Sequence, residues 1–391
     1  MMMRDGVLKL DVSPHMLSKS MQLLVCAGGT GGGIYPALAA VSELEAQGLD
    51  REHVLWIGTS GEMEEQLIPS TGIRLETIKG GAIVGVSPRE SLPNAARLAW
   101  SIGTGIRLIR EFQPDVMFMT GGYMAPPIAI AAWLQGVPIG IYLPDIEPGA
   151  SIKFTLPLAP KIAATTDGSA AFVPAEKLVV TGYPVRHEIR AALRLTKEEA
   201  LAQFDLAPGR QTLFVFGGSR GAQNINRALM GILPELLKNY QVIHVSGTLT
   251  WPEVETNLNT LTNEQRRWYR PFSYLHKRMG AAFRSADLVV ARAGASMLGE
   301  APAFGLPSVL VPLTFAWRYQ KVNADYLTER GAAEQLTDET IHGQLLPVVS
   351  GLLEDADRLG EMGKAAKALD KPLATAHLAD FIVDLAKEGR A

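Results

Sequence analysis

The chain is nearly without cysteine: Cys26 is the only one among 391 residues. A single cysteine makes neither an internal disulfide nor a cysteine-built zinc site. Its setting, an apolar run ahead of a glycine-rich turn, reads as a buried strand position and not as a nucleophile. Long apolar runs are missing as well. Nothing reaches the roughly 18 unbroken apolar residues from which a transmembrane helix is read. Residues 1–20 lack the continuous apolar core of a signal peptide and are expected to form a tail. The protein is expected to be cytoplasmic, or at most attached to a membrane surface. Neither sign of charge is in excess: 37 Lys and Arg face 40 Asp and Glu, a net charge of −3, so no nucleic-acid footprint is expected. The seven histidines show no metal-ligand spacing, and no Gly-x-Ser-x-Gly elbow supports a serine hydrolase. Asp355-Ala356-Asp357 matches a metal-binding D-x-D by letter, but it sits in a polar helical stretch and reads as a solvated face.

What is present is ordinary globular composition, 47% hydrophobic and 20% charged, at a length that suggests two domains. Short apolar runs alternate with helical segments. Strands are expected at 22–27, 54–58, 115–120, 138–143 and 161–165, then again at 211–216, 241–246, 287–291 and 308–311. Strands apolar throughout, separated by helices, predict an α/β fold with parallel sheets covered on both faces. The opening Leu23-Leu24-Val25-Cys26-Ala27-Gly28-Gly29-Thr30-Gly31-Gly32 is echoed by Leu213-Phe214-Val215-Phe216-Gly217-Gly218-Ser219-Arg220-Gly221-Ala222. Two strand–glycine–helix openings predict two Rossmann-like domains, 21–185 and 186–370. Residues 190–204 are expected to be helical, and 371–391 to form a helix packing back across the domains.

A glycine turn between strand and helix leaves backbone N–H groups at a helix N-terminus, where they and the helix dipole suit a phosphate. Neither turn is a P-loop, since no Gly-Lys-Ser/Thr follows the spacer, and the first does not fit G-x-G-x-x-G cleanly. Tight packing explains such glycines equally well. A denser constellation is Arg292-Ala293-Gly294-Ala295-Ser296-Met297-Leu298-Gly299-Glu300 with Gly305-Leu306-Pro307. Gly294 is expected to turn the chain and Ala295–Glu300 to begin a helix at the carboxyl ends of the strands, where open α/β sheets bind ligands. Glu300 there either accepts hydrogen bonds from a ribose or is an acid favourably placed near a helix N-terminus. Residues 82–112 mix apolar residues with Arg89, Arg97, Arg107 and Arg110. They read as two helices on the first sheet, or as an apolar patch with a basic rim against an anionic membrane.

The motifs together resemble the MurG family of UDP-N-acetylglucosamine–N-acetylmuramyl-(pentapeptide) pyrophosphoryl-undecaprenol N-acetylglucosamine transferases. The matching stretches are Ala27–Pro36 (AGGTGGGIYP), Thr120–Tyr123 (TGGY), Thr181–Arg186 (TGYPVR), Phe216–Ala222 (FGGSRGA) and Arg292–Pro307 (RAGASMLGEAPAFGLP). They occur in family order. The resemblance implies a GT-B type glycosyltransferase: two Rossmann-like domains facing across a cleft, the C-terminal one holding UDP-N-acetylglucosamine and the N-terminal one a lipid-linked muramyl-peptide acceptor. It implies that Glu300 binds the ribose hydroxyls, that Ser219 and Arg186 contact the diphosphate and ribose, that Ala295 offers a backbone donor to the sugar and that Gln320 binds sugar hydroxyls. It places the uracil-binding stretch near Tyr274-Leu275-His276, with Leu275 the central candidate. Thr30, Gly31 and Gly32 are expected on the substrate side of the first turn. No metal and no organic cofactor is expected. The lipid-linked acceptor implies a peripheral location on the cytoplasmic face of the membrane, against an anionic surface.

The sequence departs from the family on the acceptor side. The family's His after Gly-Gly-Thr-Gly-Gly is Gly33, which has no side chain to act as a base. The usual His-Glu-Gln-Asn stretch is replaced by Tyr142-Leu143-Pro144-Asp145-Ile146-Glu147-Pro148-Gly149, and the first of the paired glutamine-region residues is Tyr319. Asp145, counted back from Gly149, stands at the usual Asn and is the candidate catalytic base. Glu147 is the second acid, with turn chemistry beside Pro144 and Pro148 as its plainer role. Three readings stay open: a transferase with substituted catalytic groups, a relative with another acceptor, or a nucleotide-sugar sensor without turnover. Rossmann rhythm alone would also admit an NAD-dependent oxidoreductase.

Overall fold

The computed structural model describes residues 21–29, 31–78, 91–218, 221–313 and 319–389, of which 91–96 by backbone alone. The chain divides into two compact units. One runs to Pro184 and resumes at Pro372; the other is Val185–Lys371.

The first unit is a seven-stranded sheet, every pairing parallel: β1 (Leu23–Cys26), β2 (Val54–Thr59), β3 (Arg74–Ile78), β4 (Val116–Met119), β5 (Ile139–Leu143), β6 (Lys161–Ala164) and β7 (Leu178–Val180), in the order β3-β2-β1-β4-β5-β6-β7. Side chains alternate across it. Leu23, Val25, Trp56 and Phe118 enter one apolar layer, while Leu24, Cys26, Leu55 and Met117 enter the other. Both faces are therefore covered, which is why the central strands are apolar without interruption. The helix Ala374–Glu388 completes one of these layers with Leu378, Phe381, Ile382 and Leu385. A Cβ on Gly140 of β5 would lie 2.7 Å from Leu385 and 2.9 Å from Phe381, so glycine there lets the helix sit directly on the sheet.

The second unit is a six-stranded sheet, again parallel: β8 (Thr212–Phe216), β9 (Gln241–Val245), β10 (Tyr269–Phe272), β11 (Leu288–Ala291), β12 (Ser308–Leu310) and β13 (Ala333–Gln335), in the order β10-β9-β8-β11-β12-β13. The α/β expectation holds in both units. Some helices differ from their expected extents. Residues 190–204 are not one helix: helix His187–Ala191 passes into a tight turn, Ala192–Arg194, and a new helix, Lys197–Ala202, starts under a Thr196–Glu199 capping box. Ser91–Phe112 is one continuous helix, and residues 82–90 lie outside the described residues. Asp355 is a helix cap, its carboxylate accepting from Arg358 N at 2.9 Å. Among the described residues no helix is long and apolar enough to cross a membrane.

Candidate functional site

Where the strand order of an open parallel sheet reverses, the loops leaving two adjacent strands run to opposite faces and open a crevice at the carboxyl ends. The reversal lies between β1 and β4 in the first unit and between β8 and β11 in the second. Each glycine motif emerges at one of these points.

In the second unit the turn after β8 is built by close backbone contact. Gly218 and Gly221 have left-handed φ of 83° and 81°, and a Cβ on Gly221 would fall 2.1 Å from the Ser246 carbonyl oxygen. That carbonyl is held from below by a buried network. Asn226 Nδ2 donates to Ser246 O at 2.8 Å and to Thr250 Oγ1 at 2.5 Å, while His244 Nε2 meets Asn226 Oδ1 at 2.9 Å and Nδ1 meets the Tyr269 hydroxyl at 2.7 Å. The amide oxygen only accepts, so Nε2 carries the proton and Nδ1 accepts from Tyr269. Burial holds the His244 pKa down to about 3, so the ring stays neutral. The network supports the N-terminus of helix Gln223–Asn239. Nothing in the sequence spacing marked Asn226 or His244. Ser219 lies outside the described residues.

The turn after β11 begins at Gly294 and forms a 3-10 segment, Ala295–Leu298; Gly299 then breaks it, and helix Glu300–Phe304 follows. Glu300 thus opens its own helix, a correction to the single helix expected from Ala295. Arg292 anchors the turn, donating to Val311 O at 3.1 Å and lying 2.9 Å from Asp338 Oδ1. Asn323 Nδ2 donates to Ala293 O at 3.0 Å and ties helix Tyr319–Glu329 to the same turn. On that helix Gln320 accepts from Leu313 N at 2.9 Å, which leaves its amide NH₂ for other partners. Glu300 is buried, and its carboxylate lies 3.9 Å from Arg186 Nη2. That distance is too long for a hydrogen bond but short enough for attraction. Burial raises the Glu300 pKa to about 7; Arg186 and a hydrogen bond from Ser296 pull the other way. The structure therefore brings Arg186, Ala295, Ser296 and Glu300 to one end of the second sheet. The Leu275 side chain is buried, and the chain turns sharply after it at His276, whose φ is 43°. Whatever Leu275 presents outward is its backbone.

In the first unit Gly31, Gly32 and Gly33 start helix Gly31–Ala46, whose first amides have no partner within the helix. Thr30 lies outside the described residues. A Cβ on Gly33 would meet the Thr120 hydroxyl at 3.0 Å, and that hydroxyl already donates to Gly33 O. Gly122 packs so closely that its Cβ would sit 3.2 Å from Gly28 N. The AGGTGG and TGGY motifs are thus one structural unit. The segment after β5 leaves the adjacent strand end. Tyr142 anchors it from within the sheet, its buried hydroxyl 2.7 Å from Thr165 Oγ1 and donating to Gly182 O at 3.1 Å. Asp145 is partly exposed at that end. Glu147 is buried and paired with Lys153 Nζ at 2.7 Å. No motif or spacing marked Glu64, which is fully buried against the first glycine turn.

Comparison with known proteins agrees with the two-domain α/β fold. Residues 23–163 match the glycosyltransferase family 28 N-terminal domain and residues 212–378 the family 28 C-terminal domain. A UDP-N-acetylglucosamine–N-acetylmuramyl-(pentapeptide) pyrophosphoryl-undecaprenol N-acetylglucosamine transferase of Halalkalibacterium halodurans is 34% identical over 94% of this chain and 100% of its own length. The protein of that name from Desulfitobacterium hafniense strain Y51 is 36% identical over the same shares. Among solved structures, Acinetobacter baumannii MurG superposes with a TM-score of 0.73 at 25% identity, covering 93% of this chain and 99% of that one. A UDP-GlcNAc 2-epimerase of Neisseria meningitidis shares the fold at 16% identity, with a TM-score of 0.64 over 94% of this chain and 100% of that one.

Proposed function

The chain belongs to glycosyltransferase family 28 and within it to the MurG transferases, and from that premise we propose that it moves N-acetylglucosamine from UDP-N-acetylglucosamine to the muramyl sugar of a lipid-linked peptidoglycan precursor, with inversion. The observation that carries the nucleotide half is the buried Glu300 carboxylate beside Arg186 at the strand reversal of the second sheet. A carboxylate there accepts from both ribose hydroxyls, Arg186 faces the diphosphate, and the first amides of helix Gln223–Asn239 meet its charge. Leu275 offers its backbone to uracil, and Ala295 and Gln320 address the sugar. The acceptor lies against Gly31 and Gly32. Its hydroxyl attacks the anomeric carbon, the bond to the diphosphate breaks, UDP leaves, and Asp145 takes the hydroxyl proton.

A lipid-linked acceptor calls for a membrane surface. Trp100, Tyr123, Trp133, Leu134 and Phe154 of the first unit are each more than half exposed. Trp100 and Trp133 belong to helices Ser91–Phe112 and Ala125–Trp133, which pack on each other where Gly105 approaches Ile128 and Ala131. Arg97, Arg107 and Arg110 are exposed on the first of these helices. Aromatic side chains with a basic rim suit the interface of an anionic bilayer, which supports a peripheral position at the cytoplasmic face.

Calorimetry tests the nucleotide half. Glu300→Ala is expected to weaken UDP binding by roughly 1.5–3 kcal/mol, the range for hydrogen bonds to a charged group. Unchanged affinity in a folded variant would remove Glu300 from the site.

A further inference from the structure

Glu64 stands where a carboxylate is costly unless its oxygens are satisfied. It heads the short helix Glu64–Leu67 after β2, and it is fully buried. Both oxygens are used: Oε1 accepts from Thr59 N at 2.9 Å and Oε2 from Gly29 N at 3.2 Å. Charge-assisted bonds of this kind are the strong ones. The carboxylate therefore staples the end of β2 to the glycine turn after β1. It also dictates glycine on both sides. A Cβ on Gly28 would lie 2.3 Å from Oε1, and one on Gly58 would lie 2.5 Å from the Glu64 Cγ. Gly28 is thus a glycine because Glu64 fills the space beside it, and not because a ligand does. Gly29 has φ of 82° and spends its N–H on the same carboxylate. Among the described residues, the amides of Gly31–Gly33 stand at the start of the helix, without partners within it. Gly122 presses on Gly28 from the loop after β4, so the turn is clamped between Glu64 and the TGGY loop. The Glu64 charge also adds to burial in raising the pKa of the Cys26 thiol, which keeps that thiol protonated.

We propose that Glu64 is a positioning residue for the acceptor: its buried carboxylate fixes the turn after β1 so that the Gly31–Gly33 amides meet the lipid-linked substrate. This rests on the reading of that turn as acceptor-binding. Glutamine keeps the shape but turns an NH₂ toward one of the two N–H donors, which breaks one bond of the staple.

The experiment compares four proteins with UDP-N-acetylglucosamine and a lipid-linked muramyl acceptor: wild type, Glu64→Gln, Gly122→Ala and Ile162→Ala. Gly122→Ala displaces the turn from the side opposite Glu64. Ile162 is a buried β6 residue, and its variant controls for stability loss elsewhere in the unit. A displacement of the order of an ångström at a reacting centre costs up to about 100-fold. Glu64→Gln is therefore expected to lower kcat/KM for the acceptor by roughly 10- to 100-fold while the UDP Kd stays within about twofold. Ile162→Ala should lower Tm without that split. If Glu64→Gln fails to fold, Gly28→Ala displaces the same carboxylate with Glu64 retained and takes its place. Wild-type acceptor kinetics in Glu64→Gln, with Gly122→Ala impaired, would overturn the role of Glu64 and leave the turn's role standing. Wild-type kinetics in both would overturn the acceptor reading of the turn itself. An equal loss in Ile162→Ala, or a parallel loss of UDP affinity, would reduce Glu64 to a general stabiliser.

Discussion

At the scale of single residues, the chemistry proposed above falls to Glu300 and Asp145. Glu300 is a buried acid with its pKa raised from 4.5 to about 7. The folded protein therefore holds that proton more tightly than the unfolded chain does. The stability this confers is complete below pH 4.5 and is lost as pH rises through 7, a change on the order of 3 kcal/mol. Glu300→Gln removes the loss, so denaturant unfolding should find the variant more stable than wild type at pH 8 and close to it at pH 4.5. UDP affinity should move oppositely: in wild type it should fall as pH drops below about 7, because the protonated acid accepts less well, and in Glu300→Gln it should be weak and flat. A wild-type UDP affinity independent of pH between 5.5 and 8 would contradict the assignment. Of the two acids after β5, Asp145 is partly exposed and Glu147 is buried beside Lys153. A positioned base contributes about 10²–10⁴-fold, so Asp145→Asn should lower turnover within that range with UDP binding intact, and Glu147→Gln should cost less. Gly33→His in the Asp145→Asn background should return part of the loss once Thr120 gives way. Full turnover in Asp145→Asn would eliminate it as the base.

At the scale of elements, the legible strands were the buried ones. Nine were expected from apolar runs, and all nine are present. The four missed, β3, β7, β10 and β13, are the two edges of each sheet. An edge strand has one neighbour and often a half-solvated face, and sequences such as Arg-Leu-Glu-Thr-Ile in β3 and Ala-Glu-Gln in β13 carry no continuous apolar signal. Helix breaks were missed for a similar reason: Gly299 and the Thr196 cap act locally, inside stretches whose overall pattern is helical. The glycine echo was visible, but its geometry differs in register. The first left-handed glycine is the third residue after β1, Gly29, and the second after β8, Gly218. Glu64 was illegible because Met-Glu-Glu-Gln reads as a polar helical face, and its burial depends on two strand ends that the sequence does not place together. The helix Ala374–Glu388 shows how a distant segment completes a core. Phe381 is buried against β5 and should cost about 3–5 kcal/mol when replaced by alanine. Chemical denaturation would read that cost, and a loss below about 1 kcal/mol would mean the helix is not an integral part of the unit's core.

At the scale of the molecule, each of the two parallel sheets reverses its strand order once, the point at which open α/β sheets bind ligands. The fold alone does not choose the reaction, since an epimerase shares it; the residues at the strand ends and the family relationship do. The proposed lipid-linked acceptor also calls for attachment to a membrane surface. Replacing Arg97, Arg107 and Arg110 with Gln should reduce sedimentation with anionic vesicles, and added salt should imitate the change. Wild-type protein that ignores anionic vesicles at low salt would contradict membrane attachment. The departures at Gly33 and Asp145 make turnover itself the central question. The most direct measurement is UDP release by the full chain with UDP-N-acetylglucosamine, with and without a lipid-linked muramyl-pentapeptide acceptor, followed by identification of the glycosylated lipid. Acceptor-dependent UDP release, with one N-acetylglucosamine added per muramyl sugar, is the expected result. Tight UDP-N-acetylglucosamine binding without acceptor-dependent release would contradict it.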